Sequence, residues 1–366
     1  MGTACSCCRS RRRELQLKFG AMTQTGARAV NEDVFSVVAA LPLPGRWRAA
    51  NGAGGLRVRP SLFAVYDGHR GPSAARFARG YMPSVVARAL AAMPSRVRQA
   101  LAGARPVDDD DAVVLGEAMR DAFVATDGAW LAHARRQSPP LSDGCTASVA
   151  LVAPGAIVAA AVGDSQILLV TVDEAEAGAS GSSSDWGSYD DDVLSVSSWI
   201  SMSSGNRPMQ PLPGYGTRSW RAELVTPQHK ARDVGERKRV LAAGATINGP
   251  YIGAESTSRA IAVSRAFGDI ELKIPRGAPP EELIISPIPA VYTRPLDGTE
   301  AMLIVASDGV WDKLSPAKAA YLAAASLLRD PSLSQAAAEV TSAAIAAGSS
   351  DNVTAVVVVF GKQNHE

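Results

Sequence analysis

The chain has 366 residues, of which 46% are hydrophobic and 20% charged, so it can bury a large core as one big domain or two ordinary ones. Its formal net charge of +1 gives no global attraction to nucleic acid, and we expect no nucleic-acid partner. Three of the four cysteines, Cys5, Cys7 and Cys8, crowd the N-terminus, while Cys145 stands alone. This distribution excludes a disulfide framework and indicates a reducing compartment.

The N-terminal residues match the pattern for N-myristoylation, with Gly2 as the acceptor and Ser6 at the expected position. One acyl chain gives only marginal membrane residence, but the three N-terminal cysteines are candidates for palmitoylation and the arginines after them can meet anionic head groups. Residues 1–16 are therefore predicted to be a flexible leader that holds the protein peripherally on the cytoplasmic face of a membrane. The alternative is a disordered basic leader whose cysteines have no role. No apolar segment follows the arginines, which argues against a secretory signal.

The first half of the chain alternates apolar runs with Ala-rich segments of helical period. The run at 62–66 indicates a buried strand that stops at Asp67, and the acidic run at 108–111 complements the start of a helix. The apolar stretch at 145–170 is broken by two turns into pieces too short to cross a bilayer, so we predict strands there rather than a transmembrane helix. The predicted elements are strands at 62–66, 146–152, 156–162 and 166–172, and helices at 73–93 and after 108–111, and two apolar runs precede them at 17–22 and 34–40.

The second half begins with a segment, 173–219, that is rich in Ser, Gly, Asp and Pro and lacks any sustained period. It is predicted to be a flexible insertion, either phosphorylated on serine or a passive surface loop. The elements predicted after it are strands at 222–226, 284–286, 302–306 and 354–360, and helices at 233–243, 316–328 and 333–347. Strand clusters interrupted by paired helices indicate an α+β domain, spanning 17–362, with sheets inside and helices outside.

Carboxylates recur where the predicted apolar strands begin or end. Each alone is more typical of a turn than of a ligand, because Asp hydrogen-bonds its own backbone. If several converge in a partly desolvated site, protons or cations must relieve their repulsion, and with no Cys/His cluster at zinc spacing Mg²⁺ or Mn²⁺ fits best. Two such ions would generate a hydroxide and hold a phosphate for in-line attack, which predicts a metal-dependent phosphate hydrolase. The carboxylates are Glu32, Asp33, Asp67, Asp164, Asp308, Asp312 and Asp351.

Seven short motifs occur in a fixed order along the chain. They are RAVNED at 28–33, VYDGH at 65–69, GCTA at 144–147, VGDS at 162–165, IAVSRAFGD at 261–269, ASDGVWD at 306–312 and GSSDN at 348–352. Each motif alone is weak, but the ordered set resembles that of the PP2C-type (PPM) serine/threonine protein phosphatases, from about residue 20 to residue 360. The resemblance implies a four-layer sandwich of two antiparallel β-sheets flanked by pairs of helices.

The resemblance also implies a binuclear metal site. Asp67 would bridge both ions, with the Gly68 carbonyl on one ion and Asp308 and Asp351 on the other. The remaining implied metal positions are Glu32 and Asp33, acting mainly through bound water, and a third, weaker site at Asp164 and Asp312 with Asp308.

Two further side chains receive roles from the resemblance. Arg28 would bind the substrate phosphate, since guanidinium offers a fork of donors. His69 would act as general acid toward the leaving seryl or threonyl oxygen. The alternatives are that Arg28 neutralises its neighbours Glu32 and Asp33, and that His69 is a packed or surface histidine. Cys145 is expected to be a small buried side chain rather than a nucleophile.

The remaining polar residues of the motifs receive structural interpretations. Arg265 and Asp269 are expected to form an ion pair that shapes their loop, and His229 and Lys230 to lie on a solvated surface turn. Arg70 replaces a glycine usual in this motif of the family, so it is strained if positive φ is required there, or adds positive potential beside the phosphate. Gln166 and Gln228 also depart from the usual pattern, and neither removes a ligand.

The sequence thus predicts a monomeric, metal-dependent phosphatase acting on phosphoserine and phosphothreonine in proteins. A hydrolase of small phosphoesters with the same metals is the nearest alternative. A membrane-anchored pseudophosphatase or adaptor that uses the same fold for partner binding is the other, and it would be expected to lack metal ligands, none of which is missing.

Overall fold

The computed structural model describes residues 15–43, 59–173, 211–216 and 218–361. The predicted lipidation positions Gly2, Cys5, Cys7 and Cys8, and most of the predicted insertion, lie outside the described residues. Within that insertion, Leu212 is described, and it is buried. None of the helices in the described ranges combines the length and hydropathy needed to cross a bilayer.

Sixteen strands and seven helices are present in the described ranges. The strands are β1 Leu17–Gln24, β2 Val34–Val38, β3 Ser61–Tyr66, β4 Gly68–His69, β5 Gly144–Cys145, β6 Ala147–Ala153, β7 Ala156–Val162, β8 Gln166–Val172, β9 Trp220–Leu224, β10 Thr246–Asn248, β11 Tyr251–Ala254, β12 Thr257–Ile261, β13 Phe267–Gly268, β14 Ala290–Pro295, β15 Glu300–Ala306 and β16 Val353–Phe360. The helices are α1 Ser73–Ala92, α2 Ser95–Leu101, α3 Asp109–Arg135, α4 Val234–Ala242, α5 Asp308–Trp311, α6 Pro316–Arg329 and α7 Leu333–Ala346.

Two five-stranded antiparallel sheets form the centre of the molecule. One has the order β1-β16-β15-β8-β9 and the other β14-β7-β6-β3-β2. Because side chains alternate across a strand, β3 sends Phe63 and Val65 into the core between the sheets and Leu62 and Tyr66 toward the helices. Both faces of the central strands are therefore buried, which explains their uninterrupted apolar sequences.

Helices cover the outer face of each sheet. α1, α2 and α3 pack on the sheet that contains β3, and α6 and α7 pack on the sheet that contains β16. The acidic run before α3 forms a capping box, in which the Asp108 side chain accepts from the Asp111 amide and Asp111 accepts from the Asp108 amide. The predicted four-layer α+β sandwich is confirmed.

A smaller lobe lies beside the sandwich, and the sequence patterns did not predict its sheet. It comprises the three-stranded sheet β10-β11-β12 and α4, around a small core that includes Val240 and Ile252. The strand predicted at 284–286 is wrong. Ile284 and Ile285 are fully buried in this small core, but the segment makes only an isolated bridge at Ser286. The apolar run reflects burial of a loop, and the nearest strand is β14.

His229 is buried at the base of this lobe, so the solvated surface turn expected there is wrong. Its backbone amide and its ring Nδ1 both donate to the Gly163 carbonyl, at 2.8 and 3.1 Å. Burial, reinforced by the nearby charge of Arg265, lowers the pKa of His229 to about 4. The ring is therefore neutral in the folded protein at neutral pH.

Replacing Gly20 by alanine should destabilise the fold. A Cβ on Gly20 would lie 2.5 Å from the Leu333 carbonyl oxygen and closer still to the next peptide bond, so α7 would have to move off β1. Overpacking of this kind costs about 1–3 kcal/mol. Urea unfolding measures the loss. Gly116→Ala in α3 is the matched control, because no atom lies within 4 Å of its new Cβ and it should stabilise by about 0.5–1 kcal/mol. Equal effects of the two substitutions would contradict this packing.

His229 should make the protein less stable in acid. The pKa of His229 is about 4 in the folded protein and 6.5 in its ordinary state. Between pH 6.5 and about pH 4, the unfolded chain therefore binds a proton at this residue more readily than the folded protein does. The free energy of unfolding should fall through this window by about 3 kcal/mol from this residue. His229→Asn keeps a donor toward the Gly163 carbonyl but cannot titrate. If the free energy of unfolding changes with pH in the same way in the wild type and the variant, His229 is not the source of the loss of stability in acid.

Candidate metal centre

Strand register brings the acidic residues to one edge of the sandwich. Val34 pairs with Tyr66, so Asp33 and Asp67, one residue beyond each, are neighbours at the ends of β2 and β3. In the other sheet, Ala306 of β15 pairs with Gln166 of β8, which places the turns before β8 and after β15 side by side. Ala306 also pairs with Ala355 of β16, and this pairing brings the residues that precede β16 to the same edge.

Three carboxylates from this edge converge. Oxygen atoms of Asp67, Asp164 and Asp308 all lie within 4.8 Å of one another. Burial, followed by the charges of neighbouring carboxylates, raises the pKa of Asp67 well above its usual range and the pKa of Asp308 to about 8. Such a cluster cannot hold all its negative charge without protons or cations.

Asp33 is a buried carboxylate beside Asp67. Its Oδ2 accepts hydrogen bonds from the hydroxyls of Ser307 at 2.9 Å and Thr354 at 2.7 Å, which tie the two sheets together. Its Oδ1 is buried and has no hydrogen-bond partner in the described chain. Burial raises the pKa of Asp33 to about 6, although the two hydroxyls act in the opposite direction. An oxygen that is buried and unpartnered is a suitable acceptor for a water molecule or a cation.

Asp351 lies at the rim rather than in the three-carboxylate cluster. Its Oδ2 accepts from Arg28 Nη2 at 2.8 Å and its Oδ1 accepts from the Asn352 amide at 2.8 Å. Asp351 nevertheless contributes to the raised pKa of Asp33, Asp67 and Asp308, so its charge acts on the centre. The partner of Arg28 is thus a carboxylate far away in sequence, not the adjacent Glu32 or Asp33.

The other predicted metal positions border the cluster. The Glu32 amide donates to Asn352 Oδ1 at 2.8 Å, and a Cβ on Gly68 would lie 2.6 Å from the Glu32 carbonyl, so these two segments touch. Asp312 follows Asp308 by one turn of α5, and its charge contributes to the raised pKa of Asp308. The metal roles of these residues stay predictions.

Lys230 enters the centre, contrary to the expected surface position. Its Nζ lies 3.0 Å from Asp164 Oδ2, and its side chain is only 18% exposed. Burial opposes the charged form of this amine, but Asp164, together with Asp312 and Asp308, raises the pKa of Lys230 overall. The cluster therefore contains one cation supplied by the chain itself.

His69 and Asp269 form a pair beside the cluster, and the expected Arg265–Asp269 pair is absent from the described chain. His69 Nε2 is 2.8 Å from Asp269 Oδ2, whereas Arg265 Nε donates to Glu236 at 3.1 Å. Burial tends to lower the pKa of His69, but the charge and hydrogen bond of Asp269 more than offset it and raise that pKa. The strain considered for Arg70 is present, since its φ is 63°, and its guanidinium faces Asp269 at 3.6 Å.

Several hydroxyl side chains support the centre, and the sequence analysis gave them no role. Thr146 accepts from the Asp67 amide at 3.3 Å and lies 2.8 Å from the Ser165 hydroxyl, which links the Asp67 and Asp164 turns. Ser307 and Thr354 hold Asp33 in the same way. The signal that could have identified Thr146, Ser165 and Ser307 is their place inside the GCTA, VGDS and ASDG motifs.

The donor set fits hard divalent cations. All side-chain atoms offered by the cluster are carboxylate oxygens, the ligands that Mg²⁺ and Mn²⁺ prefer, and no His or Cys belongs to it in the described chain. Asp33 Oδ1 adds an unpartnered acceptor, and burial together with the charges of neighbouring carboxylates raises the pKa of Asp67 and of Asp308. We conclude that the residues present can hold such ions.

Comparison with known proteins agrees with this geometry. The family profile "Protein phosphatase 2C" matches residues 42–182 and 217–353. "Probable protein phosphatase 1N" of Homo sapiens is 30% identical over 94% of this chain and 61% of its own length, and "Protein phosphatase 2C homolog 2" of Schizosaccharomyces pombe is 25% identical over 82% and 64%. The chain thus spans less than two thirds of the length of these two relatives.

Solved structures show the same fold. The crystal structure of serine-threonine phosphatase 2C from Toxoplasma gondii covers 94% of this chain and 95% of its own, with a TM-score of 0.64 and 20% identity. A Caenorhabditis elegans sex determining protein gives a TM-score of 0.61 over 94% of this chain and 64% of its own, at 18% identity. The profile match extends over more than half of the sequence, and on that ground the chain belongs to the protein phosphatase 2C family.

Proposed function

We propose that this protein is a metal-dependent serine/threonine phosphatase that hydrolyses phosphoserine and phosphothreonine in proteins. The convergence of Asp67, Asp164 and Asp308 within 4.8 Å, in a chain of the protein phosphatase 2C family, is the observation that carries the proposal. Family relatives whose names include "protein phosphatase" support the choice of substrate class.

The residues that would hold two Mg²⁺ or Mn²⁺ ions are Asp67, Gly68, Asp308 and Asp351, with Glu32 and Asp33 acting through water. A third, weaker position falls to Asp164 and Asp312 with Asp308. When bound, such cations make water a nucleophile at neutral pH and neutralise phosphate charge. Direct hydrolysis, without a phosphorylated enzyme intermediate, follows from this assignment.

The chain also offers groups for the phosphate and the leaving oxygen. Arg28 is exposed at the rim and paired with Asp351 at 2.8 Å, so its guanidinium is held beside the carboxylates with donors left for a phosphate. His69 is partly exposed, and as general acid it would protonate the departing oxygen. Cys145 is fully buried, and burial raises the pKa of its thiol well above its usual range, so it is unsuited to nucleophilic attack.

Purified full-length chain should release phosphate from a phosphothreonine peptide only with Mn²⁺ or Mg²⁺, and a chelator should abolish the release. Asp67→Asn and Asp308→Asn should each lower kcat by at least about 100-fold, because changes in residues around metal ligands alone cost about 10- to 100-fold. Calorimetric Mn²⁺ titration should show weakened binding in both variants. Asp121→Asn, at an exposed position on α3, is the matched control and should behave as wild type.

Three results would contradict the proposal. Full activity of both variants would exclude the carboxylate centre. Hydrolysis of nucleotide and sugar phosphates with no turnover of phosphopeptides would point to a small phosphoester hydrolase. Metal binding without turnover of any phosphoester would favour a pseudophosphatase or adaptor.

We also propose that the N-terminal leader anchors the protein at a membrane through acylation of Gly2 and of Cys5, Cys7 or Cys8. The proposal is supported by the sequence pattern alone. Gly2→Ala should move the full-length protein from the membrane to the supernatant fraction of cells, because the remaining signals bind only weakly without the first acyl chain. Thr3→Ala, which keeps the acceptor glycine, should leave the distribution unchanged. Membrane retention of the Gly2→Ala protein would contradict the anchor.

A further inference from the structure

We propose that Asp269 is a positioning residue for His69: it binds Nε2 of the imidazole and so leaves Nδ1 as the nitrogen that gives a proton to the leaving oxygen. This inference rests on the proposed phosphatase function. It assigns a role to a residue that lies 200 positions away from His69 in the sequence. The sequence predicts for the motif that contains Asp269 only a loop shaped by an ion pair with Arg265.

The geometry of the pair supports this role. Asp269 Oδ2 lies 2.8 Å from His69 Nε2, and the side chain of Asp269 is completely buried while that of His69 is 26% exposed. The buried member of the pair is thus the carboxylate, and the imidazole keeps part of its surface exposed. A carboxylate oxygen accepts the hydrogen bond, so Nε2 carries a proton whenever the pair is intact.

The backbone around the pair keeps the contact short. A Cβ on Gly144 would lie 2.6 Å from the carboxyl carbon of Asp269 and would overlap His69 Nε2, so only glycine fits between the two strands that carry the pair. Gly144 pairs with His69 in β4 on one side and with Gly268 in β13 on the other. The small sheet β13-β5-β4 therefore holds His69 in β4 close to Asp269, the residue that follows β13.

Asp269 is held in a left-handed conformation, with φ of 53°. Its amide donates to the Asp143 carbonyl at 3.3 Å, and the preceding Gly268 amide donates to Asp127 Oδ1 at 2.8 Å. Non-glycine residues at positive φ are uncommon and persist where the surrounding structure determines them, often next to functional groups. The loop thus holds a buried carboxylate in place before any substrate arrives.

Arg70 supplies the counter-charge for the second carboxylate oxygen. Its Nη1 lies 3.6 Å from Asp269 Oδ1, which accepts no hydrogen bond from the described chain. Nη2 of the same guanidinium is 3.5 Å from the Ala260 carbonyl in β12. With Oδ1 facing Arg70, Oδ2 is directed at His69. The arginine that replaces the usual glycine of this motif therefore belongs to the same arrangement.

The proton balance follows from this orientation. Water adds its oxygen to phosphorus as the bond from phosphorus to the seryl or threonyl oxygen breaks, and the protons of that water stay on the released phosphate, which passes one to solvent. The leaving oxygen takes its proton from Nδ1 of doubly protonated His69, and the ring is left neutral with its proton on Nε2, still bound to Asp269. No rotation of the ring is needed between turnovers, since solvent can return a proton to Nδ1.

The test is a double-mutant cycle with two substrates. Asp269→Asn keeps the size and tolerates the left-handed backbone, but its amide can present N–H instead of oxygen to Nε2. For a phosphothreonine peptide, we expect Asp269→Asn to lower kcat by about 10- to 100-fold, less than the roughly 100- to 10,000-fold expected when the general acid itself is lost, with little change in KM. In a His69→Gln background, the same substitution should change kcat by less than about threefold, because a residue that acts through His69 has nothing left to position.

The second substrate separates positioning from a general loss of structure. p-Nitrophenyl phosphate releases a stable phenolate that needs no proton, so Asp269→Asn should affect it by less than about threefold. Asp111→Asn is the matched control, because Asp111 is also buried and paired with an arginine, Arg105, but lies at the start of α3. It should leave kcat unchanged for both substrates.

Equal losses of kcat in the wild-type and His69→Gln backgrounds, or for both substrates, would overturn the proposal and leave Asp269 a structural residue. If Asp269→Asn fails to fold, Asp269→Gly removes the carboxylate without backbone strain and enters the same cycle. Absence of metal-dependent turnover in the wild type would instead refute the phosphatase function itself, so the two failures are distinguishable.

Discussion

Electrostatic repulsion among carboxylates that strand register forces together is the constraint on which the centre depends. Two unit charges about 5 Å apart repel by about 3 kcal/mol at an effective dielectric constant of about 20. Asp67, Asp164 and Asp308 each face two such neighbours, and Asp33 and Asp351 add to the field. Folding places these side chains and leaves them short of positive charge. Binding of protons or cations at this centre therefore lowers the free energy of the folded state.

The sandwich explains how such an edge can be maintained. Phe63 of one sheet and Leu303 of the other belong to the same core between the sheets, and helices bury the outer faces. Close packing on both faces fixes each strand against sliding, because a shift of one residue would exchange the side chains that face the other sheet with those that face the helices. The hydroxyls of Ser307 and Thr354 then bind one carboxylate across both sheets. Packing far from the edge thus determines distances at the edge.

The sequence predicted the position of a residue in the fold where that position depends on the residues next to it in the chain. Apolar runs predicted the central strands, and Asp67 and Asp308 were identifiable because each lies within two residues of the end of such a run. The contacts of Asp269, His229 and Lys230 were not predictable from spacing, since their partners come from distant parts of the chain. The short strands of the small lobe lack a strong sequence period. The apolar run around Ile284 has the sequence pattern of a strand, but it is a loop that is buried in the small core. Long-range burial, which no local pattern encodes, accounts for these differences.

The position of Lys230 has a consequence for how the centre responds to its surroundings. An ammonium group attached to the backbone cannot be removed by dialysis or captured by a chelator, so it remains at Asp164 when exchangeable ions leave. Part of the negative charge is thus neutralised permanently, and only the remainder depends on the ionic composition of the medium. The centre is asymmetric in this sense, because the described chain pairs a cation with Asp164 and with neither Asp67 nor Asp308.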